Sequence, residues 1–138
     1  MANLITKKCV SYTDASRMVS AALQKAEELG CSQNIAVVDC GGNLLAFARM
    51  DDAPILGITG AQRKAHTALL GIGTAAFYDA IKHPEGTVLG LSNLPGTLMV
   101  PGGLPIVIDK QPVGGIGASG GMPEEDVACA QAGLDAIA

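Results

Sequence analysis

Between Ser11 and Gly30 the apolar positions Ala15, Met18, Val19, Ala22, Ala26 and Leu29 return every three or four residues, the period of a helix with one buried face. Ser11 and Asp14 have the spacing of a capping box at its start, and Gly30 stands where helices commonly end. The period then shortens. Ile35–Asp39 is a β-branched run, Cys40-Gly41-Gly42-Asn43 a turn and Leu44–Met50 a second run, which together predict an antiparallel hairpin. Leu4–Val10 is expected to be a strand ahead of the first helix. After the break at Asp51-Asp52-Ala53-Pro54, a second helix is expected over Ile55–Leu70, with Ile58, Ala61, Ala65, Ala68 and Leu69 on one face and Lys64 and His66 away from it. A short helix around Ala75–Ile81 is bracketed by Gly71, Gly73 and His83-Pro84-Glu85-Gly86, and an irregular stretch to Pro95-Gly96 is expected to form a lid or pocket wall. Thr97–Val100, Leu104–Ile108 and Val113–Ala118 read as three short strands. Pro123, with Glu124 and Glu125 beside it, opens a closing helix towards Ile137. This order predicts an α+β domain rather than alternating β-α-β units.

A chain of 138 residues is the size of one domain with one core. Apolar residues make up 49% of it and charged residues only 16%, a surplus that points to a homo-oligomer interface. Trp is absent, the only aromatics are Tyr12, Phe47, Phe77 and Tyr78, and the net charge is -4. Base stacking and phosphate binding both lack their residues, so nucleic acid is excluded as a partner. No apolar run approaches the roughly 18 to 20 residues of a membrane span, and Lys7-Lys8 follow Leu4-Ile5 in the reverse of a secretory signal's order. The expected location is the cytoplasm, with no membrane partner. Cys9, Cys31, Cys40 and Cys129 include no C-x2-C pair and are expected to be separate small buried thiols.

Two motifs suggest chemistry that their surroundings do not support. Gly115-Ile116-Gly117-Ala118-Ser119-Gly120 has the form of a dinucleotide fingerprint between strand and helix, but only 18 residues follow it, too few to complete a βαβ unit. Gly117-Ala118-Ser119-Gly120-Gly121 has the form of a nucleophile elbow, but no histidine follows Ser119 to serve as base. His66 and His83 are the only imidazoles and are too far apart for a helical metal pair. A haem iron, whose macrocycle supplies four nitrogens, needs only one such ligand. His66 is a candidate to bind such an iron as axial ligand or to pair with a propionate, with Lys64 or Arg63 as cationic partners for a propionate or another carboxylate.

Taken together, several segments resemble the GlcG/HbpS haem-binding family, which includes the C-terminal domain of PduO-type proteins. They are Val37-Val38-Asp39 with Gly41-Gly42-Asn43, Arg49-Met50-Asp51, Lys64-Ala65 and Thr67-Ala68. Pro101-Gly102-Gly103-Leu104-Pro105-Ile106, Gly114 to Gly121 and Glu125-Asp126 complete the set, so the resemblance covers nearly the whole chain. It implies a profilin-like fold with a five-stranded antiparallel sheet flanked by helices, higher oligomers, and haem as a ligand class. Gly102, Gly103, Ser119 and Gly120 then become candidate ligand-binding positions, where backbone amides can approach a ligand closely. The leading expectation is a small-ligand protein that binds or handles haem. A second is an isomerase or tautomerase of a catabolic pathway, in which Lys64 polarises a carbonyl or holds a carboxylate and Asp39 or Glu125 moves the proton. A third is a non-catalytic accessory subunit whose apolar surface binds a partner enzyme.

Overall fold

A computed structural model describes residues 1–138. The first periodic segment forms α1 (Tyr12–Leu29): Ser11 Oγ accepts the Asp14 N–H at 3.1 Å, and Gly30 closes the helix in the left-handed conformation, φ 72°. The hairpin follows as β1 (Asn34–Asp39) and β2 (Leu44–Arg49). Next come α2 (Leu56–Thr67), which runs into one 3-10 turn at Ala68–Leu70, then α3 (Thr74–Ile81) and α4 (Glu85–Ser92). The chain ends with β3 (Gly103–Ile108), β4 (Gln111–Ser119) and α5 (Pro123–Asp135).

The α+β expectation holds, with helices flanking an antiparallel sheet, but the sheet has four strands in the order β2-β1-β4-β3 and not five. Leu4–Val10 is not a strand. Its one backbone hydrogen bond to the sheet is the Val10 N–H to the Val113 carbonyl at 2.9 Å, made where the β3–β4 register slips. β4, the strand it touches, is already flanked by β1 and β3, so the segment cannot pair along it. Thr97–Val100 is not a strand either. Threonine hydroxyls take its main-chain groups: Thr67 Oγ1 accepts the Leu98 N–H at 2.9 Å, and Thr74 Oγ1 donates to the Val100 carbonyl at 2.5 Å. The stretch expected to be irregular contains α4, none of whose residues is buried.

The faces of the sheet are covered differently. Against α1 and α5 lies the main core, which includes Met18, Ile35, Val37, Ile106, Ile116 and Cys129. Against α2 there is little side-chain volume: Ala61 and Ala65 of the helix meet Gly115 and Gly117 of β4, and Gly57 and Gly60 lie against Asn34 and Ser119. A Cβ on Gly115 would collide with the Ala65 carbonyl, and one on Gly117 with the Ala61 carbonyl. The glycine motif is thus a seat for a helix backbone.

Candidate functional site

Helix α2 carries most of the candidate residues and presents them in opposite directions. Lys64, expected away from the buried stripe, is only 2% exposed. Its ammonium donates to Asp126 Oδ2 at 2.9 Å and to the Ala118 carbonyl at 2.9 Å, linking α2 to the first turn of α5. Asp126 Oδ1 in turn accepts from Gln33 Nε2 at 2.7 Å and from the Gly121 N–H at 2.9 Å. Gly102, at φ 125°, leaves the room this pair needs, because a Cβ there would stand 3.0 Å from Lys64 Nζ and 2.9 Å from Asp126 Cβ. Gly103 packs equally closely on the α2 backbone and Thr74. Two buried amide oxygens nearby, Gln33 Oε1 and Asn34 Oδ1, have no partner, since both side chains are oriented by what their nitrogens donate to.

Ser119 and Gly120 serve the same packed end of the sheet. The Ser119 carbonyl accepts from Asn34 Nδ2 at 3.1 Å while its hydroxyl lies against Gly60, and Gly120, at φ 147°, turns the chain beside Ser32. Glu125 caps α5, its Oε1 accepting the Met122 N–H at 2.8 Å. Asp39 closes the β1–β2 turn by accepting from the Gly41 N–H, the Asn43 N–H and Asn43 Nδ2 at 2.9 to 3.1 Å. Burial raises its pKa, but these hydrogen bonds from Asn43 and Gly41 outweigh that effect and hold the carboxyl below its ordinary 3.8. Lys64, Asp39 and Glu125 are therefore each held by different partners, in three structural roles.

The outward side of α2 differs. Arg63 and His66 are exposed and stand one turn apart, and Leu70, 65% exposed, extends the same side. His66 Nδ1 lies 3.1 Å from the Gly96 carbonyl. A carbonyl only accepts, so Nδ1 carries the proton and Nε2 of the neutral ring keeps its lone pair. The ring is flanked by two glycines in left-handed conformation: a Cβ on Gly42 would stand 2.9 Å from His66 Cδ2, and one on Gly96 2.8 Å from Nδ1. His83 is exposed between α3 and α4. No group of three or more His, Cys, Asp or Glu side chains is arranged to hold a metal ion.

The cysteines correct a further expectation. Cys9 and Cys40 form a disulfide, with Cα atoms 5.0 Å apart, that ties the N-terminal segment to the β1–β2 turn. Cys31 is half-buried, and only Cys129 is fully buried. Burial, and then the neighbouring Cys31, push the Cys129 thiol up to about 12.

Sequence reasoning missed Gln33, Gly42 and Gly96 as parts of these arrangements, and it placed Lys64 on the wrong side of its helix. A signal for Lys64 was present: the buried positions of α2 are Gly57, Gly60, Ala61, Lys64, Ala65 and Thr67, a stripe marked by glycines while Ile55 and Leu56 are exposed.

Comparison with known proteins yields consistent relatives. A family model described as "Haem degrading protein HbpS-like" matches residues 10–135. Protein GlcG of Escherichia coli K12 is 36% identical over 114 residues, covering 83% of this chain and 84% of that protein. The crystal structure of HbpS superposes with a TM-score of 0.90 at 31% identity, covering 98% of this chain and 94% of that one. The crystal structure of a PduOC:heme complex superposes with a TM-score of 0.85 at 31% identity, covering 94% and 95%.

Proposed function

The chain belongs to the HbpS-like family, and on that premise we propose that it binds haem on the outer side of α2, with His66 as axial ligand. The observation that carries this reading is the exposed His66 ring, held through Nδ1 by the Gly96 carbonyl so that Nε2 keeps its lone pair. The residues present fit the group. Arg63, exposed one turn before His66, would pair with a propionate, and Leu70 supplies apolar surface on the same side. Haem, when bound, supplies iron for ligand binding and electron transfer; the protein supplies the imidazole, its orientation and a cation. A relative solved as a haem complex supports the ligand class. Lys64, proposed from sequence as a propionate partner, has its ammonium engaged by Asp126 and Ala118, so Arg63 takes that role.

The reading includes a homo-oligomer, supported by α4, which buries none of its residues, and by the exposed Leu89 and Leu94. It also places the protein in the cytoplasm; no helix is long and apolar enough to cross a membrane. Hemin titration followed through the Soret region, with native mass spectrometry on the same sample, tests it. Saturation at a fixed ratio per subunit, lost in His66→Ala and weakened roughly 10-fold in Arg63→Ala, is the expected result. An unchanged Soret band in His66→Ala would overturn the ligand assignment, and unsaturable broadening in the wild type would overturn haem binding itself.

A further inference from the structure

A cavity of about 770 Å³ is lined in part by the N-terminal segment from Thr6 to Ser11, and His66 is not among its lining residues. That volume is within the roughly 300 to 1,000 Å³ of small-molecule sites. Its floor is apolar, formed by Leu69, Ile108, Val113 and Ile137, and its rim carries Lys7 and Lys8. Two acids also line it. Asp14 is already paired with Arg17 at 3.0 Å, which leaves Asp109 as the one unpaired carboxylate against two ammonium groups. An apolar floor under a net positive rim selects a ligand with a hydrocarbon body and an anionic head.

The covering segment has few other attachments. Residues 1–9 are exposed and without regular structure, and they are fixed at their far end by the Cys9–Cys40 disulfide and the Val10 N–H to the Val113 carbonyl. Both cysteines line the cavity. The bridge therefore sets how closely Lys7 and Lys8 are held over the floor.

We propose that this cavity binds a small amphipathic carboxylate, its chain on Leu69, Ile108, Val113 and Ile137 and its carboxylate between Lys7 and Lys8, under a strap latched by Cys9–Cys40. Opening the latch is a thiol–disulfide exchange: a dithiol reductant gives up two hydrogens and closes to its own disulfide, while Cys9 and Cys40 become two thiols.

The test is displacement of bound anilinonaphthalene sulfonate by decanoate, using the intact chain. Saturable displacement is expected, weakened at least 10-fold in Lys7→Glu/Lys8→Glu and in Ile108→Glu, which places a carboxylate in the floor. Dithiothreitol should weaken displacement several-fold in the wild type and have no further effect on Cys40→Ser. His66→Ala should bind decanoate as the wild type does, so failure of the haem reading and failure of this one are distinguishable. All the substituted positions except Cys40 are exposed, and an unchanged circular dichroism melt shows that each variant folds. Absence of displacement, or displacement indifferent to both the Lys7→Glu/Lys8→Glu and Ile108→Glu changes, would overturn the proposal.

Discussion

Met18, Ile35, Ile106 and Ile116 fill one side of the sheet with side-chain volume, whereas on the other side Gly115 and Gly117 let the backbone of α2 rest on the backbone of β4. The first side is stabilised by the burial of apolar surface, about 25 cal/mol per Å². The second has little such surface to offer. It is held by close backbone approach and by a buried clip, Lys64 to Asp126, that reaches from α2 to α5. A core can thus be closed by volume or by proximity, and proximity requires a specific polar fastening. It also explains why Lys64 and His66, two residues apart, have unrelated roles: one is turned into the clip and the other out to solvent.

The largest expected effect comes from breaking the clip. Lys64→Met leaves Asp126 as an unpaired buried charge and should cost about 3 to 5 kcal/mol in urea unfolding, while Lys64→Met/Asp126→Leu should recover most of that loss. A double variant no more stable than the single one would show that Asp126 is satisfied without Lys64. Next, the two faces should respond oppositely to size. Ile116→Ala should cost about 2 to 5 kcal/mol by opening a cavity and Ile116→Val much less, whereas Gly117→Ala should cost about 1 to 3 kcal/mol by overpacking and Gly117→Val more. Equal tolerance of alanine and valine at position 117 would contradict backbone contact with Ala61.

The packed face should also shield its thiol. Iodoacetamide at pH 8 should alkylate half-buried Cys31 well before Cys129, whose thiol stays protonated up to about 12, and peptide mass spectrometry reads the order. The smallest effect concerns the turn beside His66. Folding holds the Asp39 carboxyl below 3.8, so its contribution to stability is present above the unfolded value and is lost as pH falls through the folded one. Asp39→Asn should flatten the acid limb of a stability profile below about pH 4, and an unchanged limb would place that pH dependence elsewhere.

Local features were legible from the chain alone. The cap at Ser11, the stop at Gly30, the hairpin around Gly41-Gly42 and the proline-led start of α5 each depend on neighbours within a few residues, and each appears in the structure. The family was also legible, since its marks are short glycine-rich strings in fixed order. Leu4–Val10 and Thr97–Val100 differ from expectation because apolar, β-branched composition says that a segment is suited to a sheet, not that the chain lays it along an edge: the first meets β4, which is flanked on both sides, and threonine hydroxyls take main-chain groups of the second.

Of the candidate site, the residue types could be read along the chain: one imidazole on α2, cations beside it and glycines where chains meet. Their roles come from contacts between distant segments. Lys64 meets Asp126 from 62 residues away, His66 meets Gly96 across 30, and Cys9 meets Cys40 across 31. Helical period gives the direction in which a side chain leaves its own helix, but what it meets there is set by how other elements pack, and that packing decides whether a charge is a clip or a ligand.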